Sequence, residues 1–216
     1  MTMLAVLQVL LQRYSSQDDI VVGTDVANRN RGEIEPLIGF FVNLLVLRTD
    51  LSGNPSFTEL LQRVRQVTLA AYAHQDLPFD RLVKALQPQR YLSRTPPLFQ
   101  VLLVLQNTPQ KAFELPELSL KLLEVEDTTA RFDLALFLKE TEAGIEGEWQ
   151  YNADLFNPTT INNFSTHLQN LLYSIIESPD ARINTLKMLS DREIEALNKA
   201  KQQQKASKLA KFKAIK

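Results

Sequence analysis

Phe40-Phe41-Val42-Asn43-Leu44-Leu45-Val46-Leu47-Arg48-Thr49-Asp50-Leu51 is the stretch on which the fold turns. It is nearly continuous in apolar residues, the pattern of a strand covered on both faces. A helix with a clear start follows it. Ser56 and Glu59 have capping-box spacing, in which each side chain satisfies a backbone donor left open at a helix N-terminus. Phe57, Leu60, Leu61, Val64, Thr68 and Ala71 then recur on one face, and the helix is expected to run to about His74. Upstream, Ile20-Val21-Val22-Gly23 reads as a short buried strand, followed by a polar loop from Asn28 to Gly32. Before it, the apolar run from Met3 to Leu11 belongs to a helix over residues 3–14.

Downstream, Leu77-Pro78 breaks the helix before a short one holding Leu82, Val83 and Leu86. Strands are expected over Leu98–Gln106 and Leu118–Val125, and Phe132–Leu138 with Ile145–Tyr151 form a hairpin turning near Ala143-Gly144. Asn157-Pro158 starts another helix, a cap residue followed by proline at the first helical position. Ile161, Phe164, Leu168, Leu171, Leu172 and Ile175 are its buried stripe, and Ser190 with Glu193 marks one more capped helix. The order predicts an α/β fold, a mixed sheet with packed helices, and no internal repeat.

Composition narrows the function classes. The 216 residues are 44% hydrophobic and 23% charged, an ordinary globular balance with a real core. A net charge of −1 argues against a whole-chain field for nucleic acid or membrane. The first apolar run lacks the basic lead and cleavage site of a signal peptide and is too short to span a bilayer. With no cysteine there is no thiolate nucleophile and no cysteine-based metal site, and a cytoplasmic location is expected.

No complete catalytic motif is present. Neither a G-x-S-x-G elbow, a glycine-rich phosphate loop nor an H-E-x-x-H helix occurs. The histidines are His74 and His167. His167, three residues after Phe164, reads as a helix-surface residue. His74 would be a base only if Asp76 oriented it; the plainer reading of His74-Gln75-Asp76-Leu77-Pro78-Phe79-Asp80 is a helix-terminating turn.

Three segments, in this order and spacing, resemble the motifs of nonribosomal peptide synthetase condensation domains. Leu37-Ile38-Gly39-Phe40-Phe41-Val42-Asn43 running to Arg48 is similar to I-G-x-F-V-N…R. His74 to Asp80 resembles H-Q-D-x-P-F-[DE], and Arg90-Tyr91-Leu92-Ser93-Arg94-Thr95-Pro96-Pro97-Leu98-Phe99 resembles R-D-x-S-R-x-P-L. Asp19-Ile20-Val21-Val22-Gly23-Thr24 and Arg131-Phe132-Asp133-Leu134 follow the same family course. The match covers about residues 3 to 197. Two departures fall in the third motif: Tyr91 replaces the usual Asp, and Thr95-Pro96-Pro97 carries one extra residue.

The resemblance implies one chloramphenicol-acetyltransferase-like lobe of a two-lobed domain. In that domain carrier proteins deliver donor and acceptor thioesters to a tunnel, and the acceptor amine attacks the donor carbonyl. The key histidine of that family lies in H-H-x-x-x-D-G on the N-terminal lobe, and no adjacent histidines occur in this chain. Residues 1–189 are therefore expected to be a C-terminal lobe, and residues 190–216 a helical, Lys/Gln-rich linker or tail. The opening helix without a cap reads as the product of a truncated, split or misassigned gene.

No residue is assigned a catalytic, cofactor-binding or metal-binding role. The motif positions Gly39, Phe41, Asn43, Arg48, His74, Gln75, Asp76, Pro78, Phe79, Arg90, Ser93, Arg94 and Pro97 are expected to build the lobe or the tunnel wall. Among them, Asn43, Arg48, Asp76 and Arg94 sit in or beside apolar segments and are expected to be paired internally. The implied partners are peptidyl carrier proteins, whose phosphopantetheine arms carry the substrates, an N-terminal lobe in cis or trans, and an adjacent synthetase module. Two other readings stay open: a non-catalytic carrier-docking module, and an acyltransferase completed by homo-oligomerisation. The tail over 199–216 holds seven lysines and no acid, leaving residues 1–198 at −8, and reads as a solvated interdomain linker.

Overall fold

The computed structural model describes residues 1–88, 97–106, 129–196, 198–199 and 202–203. The expected strand over Leu118–Val125 and the motif positions Arg90, Ser93 and Arg94 lie outside them. Helix α1 spans Thr2–Ser15, β1 Asp19–Val26 and β2 Asn43–Asp50. Then follow α2 over Phe57–Ala73, α3 over Phe79–Leu86 and β3 over Val101–Gln106. The hairpin β4 (Leu134–Thr141) and β5 (Gly144–Tyr151) leads into α4, Pro158–Glu177. The five strands form one sheet in the order β2-β1-β3-β4-β5. The β1–β3 and β3–β4 pairs are parallel, while β1–β2 and β4–β5 are antiparallel, so the sheet is mixed as the sequence predicts.

Local chemistry sets these boundaries. The Ser56–Glu59 capping box is formed in both directions, and Asn157 caps α4 by accepting from the Thr160 N–H. β2 begins three residues later than the apolar run predicts. The β1–β2 ladder closes at Val26↔Asn43, and β1 turns away through Asn28, whose φ is 53°. Phe40, Phe41 and Val42 have no strand opposite them, and Phe40 is 91% exposed. β2 is an edge strand of the described sheet: Leu45, Leu47 and Thr49 are buried on one face and Leu44 and Val46 pack against a smaller cluster on the other, so the expected cover on both faces holds as far as Leu47 and lapses at Arg48.

The sheet carries a core on each side. Ile20, Val22, Leu47, Leu103, Leu134, Leu136 and Leu138 face α1, α2 and α4, joining Leu7, Leu10, Leu60, Val64, Leu168 and Leu171. Each large apolar side chain removed from water there contributes about 1.5–3 kcal/mol. The opposite face bears a smaller cluster around Phe99, Leu102, Val104 and Ala135, with Val21, Phe79, Phe132 and Phe137 packed on it.

His167 departs from its sequence reading: it is buried, not on the helix surface. Its Nδ1 lies 2.7 Å from the Tyr14 hydroxyl and its Nε2 2.8 Å from a Glu193 carboxylate oxygen. The other Glu193 oxygen accepts from the Ser190 hydroxyl and backbone N–H. α1, α4 and the helix after Ser190 are thus joined through one imidazole. These hydrogen bonds, those from Ser190 first, hold the Glu193 carboxyl down at about 2. A carboxylate depressed from 4.5 contributes stability that is full above about pH 4.5 and lost as pH falls through about 2. An acid titration followed by the Ser190 amide signal, whose N–H donates to Glu193, should therefore show docking retained at pH 4 in the native protein. Glu193→Gln should be looser at neutral pH and should lose most of the acid step; an unchanged acid profile would contradict the linkage.

Candidate functional site

The motif segments converge on the sheet face away from the main helices. The Asn43 side chain, at the first residue of β2, reaches the turn between α2 and α3. Its Nδ2 donates to the carbonyls of Gln75 (2.9 Å) and Leu77 (2.8 Å), and its Oδ1 accepts from the Phe79 N–H (3.1 Å). One amide thus satisfies three backbone groups that a helix end followed by Pro78 leaves open. Phe79 then meets the Phe99 ring edge-on with centroids 5.8 Å apart, and Phe99 stacks on Phe132 at 5.8 Å. Phe99 also lies directly over Gly23 of β1: a Cβ there would fall 2.0 Å from the ring. The ends of all three motifs and the segments around Gly23 and Phe132 are therefore one packed unit.

A second device shapes the loop before β2. The Arg29 guanidinium donates to the carbonyls of Ile34, Glu35, Leu37 and Gly39, at 2.7 to 3.3 Å, and lies 4.3 Å from the centre of the Phe41 ring. Phe41 in turn packs against Gly39, where a Cβ would come within 3.1 Å of the ring. Beside the loop, Asn30 Nδ2 donates to Asp76 at 3.4 Å. His74 caps the C-terminus of α2 and is exposed, so the plainer reading of that segment as a turn describes it.

Arg48 is not paired internally as the sequence reading expects. Its side chain is 72% exposed and forms a two-pronged ion pair with Asp19 across the β1–β2 edge, the shortest contact being 2.7 Å. The strand alternation that buries Leu47 and Thr49 puts Arg48 on the opposite face with Leu44 and Val46, beyond the point at which that face is covered. Arg48→Ala should shift the melting temperature little, because exposed pairs contribute weakly. A drop comparable to that of a core truncation would refute this.

An open cavity of about 650 Å³ lies beside this unit, at the C-terminal ends of β1 and β3. Thr24, Asp25, Arg29, Gln75, Val104 and Phe137 are among its lining residues, so it joins the second motif to the strand ends. Burial pushes the Asp25 carboxyl above its usual range. Val42 lines the cavity and is exposed, and Leu37, Ile38, Phe40 and Leu77 of the first two motif segments are exposed as well, Ile38 completely so. Among the described residues no group of histidine and acidic side chains has metal-site spacing. No helix among them is long and apolar enough to cross a membrane.

Sequence reasoning missed Arg29, Asp25 and the Gly23–Phe99 contact. A lone glycine within a β-branched run is itself a signal of close approach, and Gly23 carried it. Nothing comparable marks Arg29 or Asp25, whose roles depend on where the chain folds back.

The chain has counterparts among known proteins. Residues 1–198 match the condensation domain model, and the chain belongs to that family. It is 49% identical over 195 residues to a linear gramicidin synthase of Brevibacillus parabrevis, covering 89% of this chain and 2% of that protein. The crystal structure of the X-domain from teicoplanin biosynthesis superposes with a TM-score of 0.79 at 34% identity, over 87% of this chain and 43% of that one. A four-domain nonribosomal peptide synthetase bound to AMP and glycine shares the fold, with a TM-score of 0.81 at 24% identity, over 89% of this chain and 16% of that one. The chain thus spans a few hundredths of the synthetase it matches in sequence and less than half of the X-domain structure.

Proposed function

We propose that this chain is the C-terminal lobe of a condensation domain, supplying one wall of the tunnel in which carrier-bound acyl and aminoacyl thioesters are joined into an amide. The observation that carries the reading is the packed unit of Asn43, Phe79 and Phe99. It fixes the motif turn beside an open cavity on the sheet face the main helices leave free. Exposed Leu37, Ile38, Phe40 and Leu77, carried by the first two motif segments, are apolar surface of the kind a second lobe would cover. The phosphopantetheine arm of a carrier would bring each thioester to this face, and the chain itself would hold no cofactor.

On this reading the lobe positions substrates and excludes water but lacks the acid–base group, which typically contributes about 10²–10⁴ in rate. The test is amide formation between two loaded carrier proteins. The chain alone should give no product above the uncatalysed rate, and addition of an N-terminal condensation lobe should give product. Turnover by the chain alone would overturn the assignment. The chain alone should also bind a hydrophobic dye and self-associate, and the N-terminal lobe should suppress both.

A further inference from the structure

We propose that residues 204–216 of this chain fold back onto the helical side of the lobe and seat Leu209 and Phe212 in a second cavity, between the end of α1 and the start of α4. The cavity measures about 620 Å³ and lies at the opposite end of the strands from the motif turn. The inference goes beyond the lobe assignment and does not depend on it.

Leu11, Tyr14 and Phe164 wall the cavity from the helices, and Ile20, Val101 and Leu134 from the starts of three strands. Its place follows from the sheet. β1 and β3 pair at Gly23↔Leu102, and upstream of that pair residues 19–22 have no β3 residue opposite them. Leu155 and Tyr14 line the cavity yet stay exposed, so apolar surface there is left for a further element to cover.

The described chain leads towards it. After α4 the chain returns along that helix in the opposite sense: the Lys187 N–H donates to Ser174 Oγ, the Met188 carbonyl accepts from Asn170, and Glu193 meets His167. Positions 174, 170 and 167 step back towards the α4 N-terminus, and residues 191–196, 198–199 and 202–203 are helical. Continued in that direction at 1.5 Å per residue, Gln203 falls about 15 Å beyond Glu193, whereas Thr160 is about 10 Å back from His167. The helix thus reaches the first turns of α4, where Asn157, Thr160 and Phe164 line the cavity. Leu209 and Phe212 follow Gln203 by six and nine residues, a reach of up to about 20 and 30 Å.

Charge favours the same occupant. Residues 204–216 hold Lys205, Lys208, Lys211, Lys213 and Lys216 and no acid. No lysine or arginine is among the cavity's lining residues, whereas Asp19 is, and Asp18 and Asp154 adjoin lining residues in the chain. Asp19 is held by Arg48, but Asp18 and Asp154 are exposed and belong to no ion pair among the described residues. A helical turn would set Leu209 and Phe212 on one side, three residues apart, and leave the lysine heads free to stay in water beside these acids.

The chain has no cysteine, so a pair of cysteines introduced into the full chain reports proximity directly. Leu155→Cys with Phe212→Cys is compared with Ile176→Cys with Phe212→Cys; Ile176 is also exposed, but lies on the groove between α4 and β5. Both proteins are oxidised mildly at submicromolar concentration and separated on a non-reducing gel. The first pair should close within one chain about tenfold faster than the second, and high salt should shrink that advantage. Leu209→Asp with Phe212→Asp, in the chain without introduced cysteines, should lower the melting temperature by about 3–6 °C. Equal rates for the two cysteine pairs, with an unshifted melting curve for the aspartate variant, would overturn the fold-back. Disulfide-linked dimers as the main product of the first pair would also overturn it, and would give the cavity to the same segment of a second copy.

Discussion

Gly23→Ala is expected to lower the melting temperature by about 6–12 °C, corresponding to about 3 kcal/mol in a domain of this size. The added methyl would stand 2.0 to 2.5 Å from three carbons of the Phe99 ring. That ring is 1% exposed and held between Phe79 on its edge and Phe132 on its face, so it has no direction in which to yield. Over-packing that neighbours cannot absorb lies at the upper end of its usual cost. Gly32→Ala is the control, since nothing lies within 4 Å of a Cβ there, and it should leave the melting curve in place. Phe99→Leu alone should also destabilise, through lost packing. The double variant should lose less than the sum of the two, the coupling expected of residues in contact. Strict additivity would refute the steric origin of the effect.

Asn43→Asp is the second substitution with a large expected effect. The amide donates twice and accepts once, whereas a carboxylate can only accept. An oxygen would then oppose the carbonyls of Gln75 and Leu77, and both would lose their donors. The expected loss is about 2–4 kcal/mol, with Asn43→Ala at about 2 kcal/mol because water can reach part of this turn. The local readout is hydrogen exchange at the Phe79 amide, which the Asn43 side chain protects directly. Its exchange should accelerate in both variants, more than that of the Leu60 amide, which is held within its own helix by the Ser56 carbonyl. Unchanged protection at Phe79 would show that the turn holds itself without Asn43.

These two positions mark how far the sequence can be read. The helices are legible because their starts are local: Ser56 with Glu59, and Asn157 before Pro158, carry their own hydrogen-bonding logic within four residues. The hairpin of β4 and β5 is legible for the same reason, its two-residue turn at Glu142-Ala143 lying beside the expected Ala143-Gly144 and closing on the Thr141↔Gly144 pair. Asn43 can be singled out by motif and inferred to need partners. That those partners are carbonyls 32 and 34 residues away is a property of the folded chain. His167 is misjudged on similar grounds. Its place beside an apolar stripe is ambiguous in sequence, and what buries it comes from Tyr14 and Glu193, 153 and 26 residues distant. The extent of β2 is misread because hydrophobicity does not by itself imply pairing. Phe40 and Val42 are apolar but unpaired and outward, an error that points to the surface where cover is wanted.

The histidine joining three helices also has a mechanical meaning. Tension applied to the chain beyond Glu193 meets the Glu193–His167 contact early, and through His167 it reaches Tyr14 and α1 without passing through the sheet. The strands are held by ladders of backbone bonds, while this fastening rests on a few side-chain atoms. Under load the helix after Ser190 should therefore peel away first, leaving the face that carries Asn43 and Phe99 undisturbed. Such a weak point would let the segment after Ser190 move without loosening the motif turn.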